Sequence, residues 1–342
     1  MQRLPLALSP FVRALPLVLA SAFVLAGSGC RARPTKTESA TAKARRFDFR
    51  YEVTIPAPAD CAQLEVWVPL PPHDPMVQHV EVLEPRTSAG RLEVTHDPVD
   101  GNRMLYVAVP APSEAVTISW SARVERFADA GQGQGPLHAR HLEANALIPI
   151  DGKAQSMAID LGACEASLAT EVRARRIFDD VLTSMEYDKN HVGWGRGSFE
   201  HATTVCKGNC TDFHSRFIGV ARAAGIPVRF TMGIPLGDAP SGSYDSYHCW
   251  AHYRDGDAWI PVDISEADKV AATNAERAAW FFGHLDPHRL TLSHGRDVAL
   301  VPPCAAGPRN YFVFPHAEAD GRELALDKSM WRFTWRDVDR AD

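Results

Sequence analysis

The chain has 342 residues, 45% of them apolar and 23% charged. That is long enough for two domains with cores, and the balance excludes a disordered, fibrous or disulfide-dense protein. The formal net charge of −6 leaves no electrostatic footprint for nucleic acid.

Arg3 and Arg13 precede an apolar run from Ala14 to Ala26, which ends in Gly27-Ser28-Gly29-Cys30. A run of about a dozen residues is too short to span a bilayer, so residues 1–29 are expected to be a cleaved export signal. The small residues before Cys30 resemble a bacterial lipoprotein processing site, in which Cys30 becomes the lipidated first residue, with Gly27 standing where an aliphatic residue is usual. Simple secretion is the first alternative and a membrane-retained helix the second. Residues 30–46, rich in Thr, Ala, Lys and Arg and without an apolar period, read as a disordered tether. The expectation is an exported protein of the cell envelope, held to the membrane by a lipid anchor and facing the periplasm or the exterior.

From Phe47 the pattern has period two: Phe47, Phe49, Tyr51, Val53 and Ile55 alternate with mostly polar residues, as in a half-buried strand. Similar runs follow at 64–68, 91–95, 104–109 and 115–124, separated by turns rich in Pro and Gly. Together they predict a β-sandwich over residues 47–130. Gly131 to Pro136 reads as a flexible boundary, or else as a long hairpin loop inside one domain. The period then changes. Leu168, Val172, Ile177, Val181 and Leu182 are spaced for a helix, and Phe213, Phe217, Val220, Ala221 and Ala224 form the apolar stripe of a second helix that starts at Cys210 and stops at Gly225-Ile226-Pro227. Strands are expected at 228–232, 247–253 and 258–263, while the pattern assigns no elements to the C-terminal region. Gly193-x-Gly195-x-Gly197 neither follows a strand nor opens a helix, so it reads as a loop and not as a nucleotide site.

A cysteine at a helix start has a chemical consequence, because unpaired backbone N–H groups and the helix dipole favour the thiolate and can also stabilise an oxyanion. Gly208, two residues earlier, leaves room for a substrate backbone. The thiol still needs a base and the base needs an orienting group. The turn Arg254-Asp255-Gly256-Asp257 supplies a register argument. A two-residue loop at Asp255-Gly256 or a four-residue loop from Arg254 to Asp257 sets His248 opposite Asp263 and His252 opposite Trp259. Only the longer loop puts Pro261 at a non-hydrogen-bonded position, facing Trp250.

His252 therefore reads as a packing or edge histidine that faces no carboxylate. His214 lies one turn beyond Cys210 with nothing local to orient it, and Asp212 complements the helix dipole. Cys206, Cys210, His214, His248, Cys249 and His252 all have ligand chemistry, but the Cys206–Cys210 spacing is wide and His248 and Cys249 point to opposite faces of a strand. No metal or cofactor is expected. With Cys30 acylated and Cys210 free, Cys61, Cys164, Cys206, Cys249 and Cys304 form an odd set, so at least one more thiol stays unpaired.

Four ordered elements, Gly208-Asn209-Cys210-Thr211-Asp212-Phe213, Arg222-Ala223-Ala224-Gly225-Ile226-Pro227, His248-Cys249-Trp250 and Trp259-Ile260-Pro261-Val262-Asp263, resemble the transglutaminase-like superfamily. The likeness implies an α+β fold with a papain-like core, in which a Cys-bearing helix packs on an antiparallel sheet that carries His and Asp. It implies a catalytic domain over residues 137–342, preceded by an Ig-like β-sandwich. Cys210, His248 and Asp263 become the triad, and Trp194 is the candidate oxyanion donor. The implied activity is thiol-dependent acyl transfer on a protein or peptide amide, with hydrolysis preferred to amine crosslinking because crosslinking demands a site that shields its thioester from water. The contrasting reading is a non-catalytic envelope binding module that uses the sandwich face.

Overall fold

The alternation that begins at Phe47 becomes a long strand in the computed structural model, which describes residues 44–133 and 135–338. The expected signal segment, Cys30 and nearly all of the tether lie outside the described residues. In β1 (Ala44–Ile55) the side chains of Phe47, Phe49, Tyr51, Val53 and Ile55 are buried while their neighbours stay partly exposed. Five further strands follow: β2 (Gln63–Leu70), β3 (Gln78–Thr87), β4 (Arg91–His96), β5 (Arg103–Pro110) and β6 (Val116–Phe127). The strand β3 escapes the sequence pattern because it carries a register shift between Val82 and Glu84, which breaks the strict alternation.

Helices and short strands then alternate: α1 (Lys153–Asp160), α2 (Thr170–Ser184), β7 (Glu186–Tyr187), α3 (Phe199–Thr204), β8 (Lys207–Gly208) and α4 (Cys210–Ala223). Val172, read as part of the α2 stripe, is 44% exposed; the buried face is Ala174, Ile177, Phe178 and Val181. Next come β9 (Val228–Pro235), β10 (Ser241–Tyr244), β11 (His248–Asp255), β12 (Ala258–Val262), α5 (Ile264–Ala271), α6 (Ala275–Trp280) and β13 (Arg289–His294). The chain returns through β14 (His316–Ala319), β15 (Arg322–Glu323) and β16 (Trp331–Asp337).

Three antiparallel sheets and a two-stranded parallel sheet of β7 and β8 organise these elements. The strand orders of the antiparallel sheets are β10-β16-β1-β6-β3, β15-β14-β2-β5-β4 and β12-β11-β9-β13. The first two share one apolar core, to which β1, β2, β5 and β6 contribute. The strands of residues 47–130 do not close these sheets by themselves, because β16 pairs with β1 along seven residue pairs, from Phe47↔Asp337 to Val53↔Trp331, and β14 pairs with β2. Phe333 stacks on Tyr51 at a centroid distance of 4.7 Å, so the late strand supplies both the ladder and aromatic packing.

The segment expected as a flexible boundary is also pinned. The Trp259 amide and indole N–H groups donate to the carbonyls of Gly133 and Gly135, and Asp129 bridges to Leu285. Gln78 of β3 clasps the backbone of Thr291 in β13 through two hydrogen bonds of 3.1 and 2.8 Å. Between the two expected domains there is thus a stitched seam. The third sheet carries the helical layer, and α4 packs against both β9 and β11.

Candidate active site

The start of α4 is built by its own sequence. Asn209 is the N-cap, its Oδ1 accepting the Thr211 N–H at 2.9 Å, and Asp212 Oδ2 accepts the Asn209 N–H at 3.0 Å in return, which is a capping box. Asp212 does more than complement the dipole: its carboxylate also accepts the N–H groups of Gly195 and Gly197, at 2.7 and 3.0 Å. A Cβ on Gly208 would sit 2.4 Å from that carboxylate, so this glycine makes room for Asp212, a structural need distinct from the approach of a substrate. Every residue from Cys210 to Arg222 is buried, and Cys210 itself is only 2% exposed.

His248, at the first position of β11, lies within electrostatic reach of the Cys210 sulfur, each group favouring the charged form of the other. Its Nε2 is 2.7 Å from Oδ2 of Asp263, which leaves Nδ1 for the sulfur. Asp263 is fully buried and is the N-cap of α5, its Oδ1 accepting from the Glu266 N–H and the Ser265 hydroxyl, each at 3.2 Å. Of the three residues singled out in the sequence, His248 and Asp263 are in direct hydrogen-bond contact, and the Cys210 sulfur is electrostatically coupled to that pair.

The register that brings them together differs from the expected one. The turn is Gly256-Asp257, with Gly256 at φ +56° in the left-handed region, so Ala251 pairs with Val262, His252 with Pro261 and Arg254 with Trp259. His248 is paired with Gly233 of β9 and has no partner on β12. Continued past Val262, this ladder sets Asp263 level with Trp250, one diagonal step from His248. The shift is even, so the face is preserved, and the contact forms diagonally across the sheet end. Pro261 correspondingly faces His252 and not Trp250.

Electrostatics follow from this packing. Burial disfavours the charged imidazole, yet the Asp263 carboxylate and the Cys210 sulfur outweigh it and lift His248 to about 10. Burial likewise opposes the Cys210 thiolate, but hydrogen bonds from Cys249 and His248 and the nearby imidazoles bring that thiol well below its ordinary value. For Asp263, burial is overcome by His248 and Arg289, which hold the carboxyl far below the usual range. The directions agree on a thiolate, an imidazolium and a carboxylate in sequence.

Several partners were not foreseen. Arg289 Nη1 also lies on Asp263 Oδ2, at 2.9 Å. It comes from β13, in the region where the sequence pattern gave no elements. His214 is oriented after all: it donates from Nδ1 to the Cys210 carbonyl at 2.7 Å and accepts the Ile264 N–H on Nε2 at 3.2 Å. Both ring nitrogens are committed, which leaves it a joint between α4 and α5. Cys249 Sγ lies 3.7 Å from His214 Nδ1, which brings it close enough to the Cys210 sulfur for the two thiols to affect each other's ionisation. Tyr247 accepts from the Asn209 side-chain amide at 2.9 Å.

Other expectations part from the structure. His252 does meet a carboxylate: its Nε2 is 3.1 Å from Asp129 Oδ2, in a buried cluster with Thr231. The 128–131 loop supplies that acid, which the hairpin register alone had no means of locating. Trp194 lies on the loop tied down by Asp212, is 38% exposed, and has the Lys189 ammonium 5.7 Å from its ring; among the described residues its indole N–H bonds to no group of the site. Cys206 leans on Thr203 and Arg216. Cys61, Cys164, Cys206, Cys210, Cys249 and Cys304 are all free thiols.

Residues 161–264 match the family model of the transglutaminase-like superfamily, a span that contains Cys210, His248 and Asp263. The chain carries a transglutaminase-like domain. An uncharacterized protein of Haemophilus influenzae is 31% identical over 194 residues, which cover 48% of this chain and 53% of that relative; the chain thus spans about half the length of the curated relative it matches. The crystal structure of a candidate cysteine protease from Cytophaga hutchinsonii superposes with a TM-score of 0.53 at 16% identity, over 87% of this chain and 99% of that one. That likeness is one of fold, in keeping with the mixed α+β architecture of the transglutaminase-like domain.

Proposed function

We propose that this chain is a thiol-dependent acyl-transfer enzyme acting on amides. The observation that supports this best is the buried His248–Asp263 pair, with Nε2 2.7 Å from Oδ2, set beside the Cys210 sulfur at the start of α4. Cys210 Sγ attacks the carbonyl carbon, the His248 imidazolium gives its proton to the departing amine, and a thioester on Cys210 remains. Asp263 holds the imidazole in the tautomer this requires. The Cys210 N–H, at the first position of α4, is the natural oxyanion donor in this scheme, since the next two amides are bonded to Asn209.

Release by water makes the enzyme a hydrolase, the reading adopted here. Release by an amine makes it a crosslinking enzyme, and the 2% exposure of Cys210 is the observation that favours it, because a shielded thioester survives long enough to meet an amine. Peptide amides offered with and without a primary amine, with products identified by mass spectrometry, separate the two. A thiol-directed activity probe should label the wild type and spare Cys210→Ser; equal labelling would turn the reading towards a binding module.

The same proposal places the protein outside the cytoplasm on a lipid anchor at Cys30, on the strength of the apolar run and small residues before it. Intact-mass analysis of the membrane fraction should find a mature chain that begins at an acylated Cys30. A soluble form without acyl mass would remove the anchor and leave export standing.

A further inference from the structure

Far from the thiol relay in sequence, the strand β14 and the turn before it bring three unlike donors together. The sulfur of Cys304, a ring nitrogen of His316 and a carboxylate oxygen of Glu318 all lie within 4.8 Å of one another, the one such group among the described residues. His316 and Glu318 are two apart on one strand and so share a face, with His316 Nε2 3.1 Å from Glu318 Oε1. Both are buried, at 4% and 1% exposure. We propose that Cys304, His316 and Glu318 form a binding site for a divalent transition metal of the zinc class.

The surroundings fit a ligand set in three respects. Glu318 is held in place by the N–H groups of Ala305 and Ala306, each 2.9 Å from one of its oxygens, so the carboxylate is already oriented. The other nitrogen of His316, Nδ1, has Glu323 Oε1 3.6 Å away, an oxygen that also accepts from Arg309 at 2.7 Å, so a carboxylate stands on the far side of the ring from Glu318. Its ring also packs on Trp67, with centroids 5.5 Å apart.

A cleft of about 640 Å³ has His316 and Glu323 in its wall, which brings solvent to the edge of the site. Tetrahedral zinc with S, N and O ligands spaces its donors roughly 3.3 to 3.8 Å apart. Closing the widest edge takes a movement of about 1 Å, and Cys304 supplies it by turning from the Gly307 carbonyl, to which its thiol now donates at 3.1 Å. Binding joins the metal to the sulfur and releases the thiol proton to solvent.

The test uses the purified full chain and the metal alone. Zinc should protect Cys304 from alkylation, read by peptide mapping, while the exposed Cys164 continues to react. In a Cys210→Ala background, cobalt(II) should bind one to one with a thiolate-to-cobalt charge-transfer band. That band should vanish in Cys304→Ser, and Glu318→Gln should weaken binding by more than the about 10- to 100-fold typical of outer partners. Alkylation of Cys304 that zinc does not slow, or a cobalt band that persists in a folded Cys304→Ser protein, would overturn the assignment.

Discussion

Arg289 Nη1 and Asp263 Oδ2 are 2.9 Å apart in a buried contact, on the very oxygen that His248 Nε2 approaches at 2.7 Å. One carboxylate therefore serves two cations, and the guanidinium offsets the burial of an acid that is fully enclosed. Removing one partner of a buried pair typically costs about 3–5 kcal/mol. Arg289→Met should lose stability of that order in urea unfolding and should also slow thiol labelling, with Arg289→Lys partly restoring both. A change under about 0.5 kcal/mol, within the range of ordinary surface substitutions, would mean that Asp263 does not depend on Arg289.

His248→Ala should abolish acyl-enzyme formation. Asp263→Asn should lower it by up to about four orders of magnitude, by analogy with the serine triad, because the amide favours the wrong imidazole tautomer. Single-turnover kinetics with an activated ester or amide measure both. A fast Asp263→Asn enzyme would remove the orienting role from this residue.

The alkylation rate of Cys210 should be nearly level from about pH 6 to 9, where a free thiol climbs through its ionisation near 8.5. The sign follows from the pair: His248 keeps its proton until about 10 and the Cys210 thiol loses its own well below the ordinary value, so the thiolate is already present at neutral pH. A single inflection near 8.5 in the iodoacetamide profile would show an unpaired thiol instead.

His252→Ala should keep Cys210 labelling and lose stability. Its imidazole contacts the buried Asp129 carboxylate at 3.1 Å, and a hydrogen bond to a charged group contributes about 1.5–3 kcal/mol. Differential melting and probe labelling of the same sample separate the two effects. A dead but fully stable variant would transfer the base from His248 to His252.

Deleting residues 316–338 should abolish cooperative folding, since it strips β16 from β1 and β14 from β2 and exposes the aromatic face that Phe333 covers. A fragment of residues 44–130 should likewise fail to give a two-state transition in urea. A cooperative melt of either would restore an independent N-terminal domain.

Much of this was legible in the residues. The α4 helix begins at Cys210 as its stripe and stop signal require, and β9, β11 and β12 fall on the expected runs to within a few residues. These elements are dense in apolar residues at one period, so local pattern and tertiary packing agree. The site was readable for a related reason: an even error in hairpin register leaves side chains on their face, so His248 and Asp263 still meet. What stayed hidden depends on distant chain segments. Arg289, Asp129 and β14 to β16 acquire their roles from partners far away in sequence, and short strands such as β15, with two residues, carry too little periodicity to announce themselves. Only Trp331, Phe333 and Trp335, which alternate along β16, offered a sign of it, and that sign went unused.

Side-chain contacts between β1 and β16 join residues as far apart as Arg45 and Asp337, 292 positions along the chain, beside the ladder that starts at Phe47↔Asp337. A ribosome therefore releases the first strand long before the strand that completes its sheet, and the early segment has to wait with an unpaired edge. For a cytoplasmic protein that wait is an aggregation hazard. For one destined to be threaded through a translocase it is an advantage, because a chain that does not complete its fold until its last strands are made remains threadable until synthesis is nearly over.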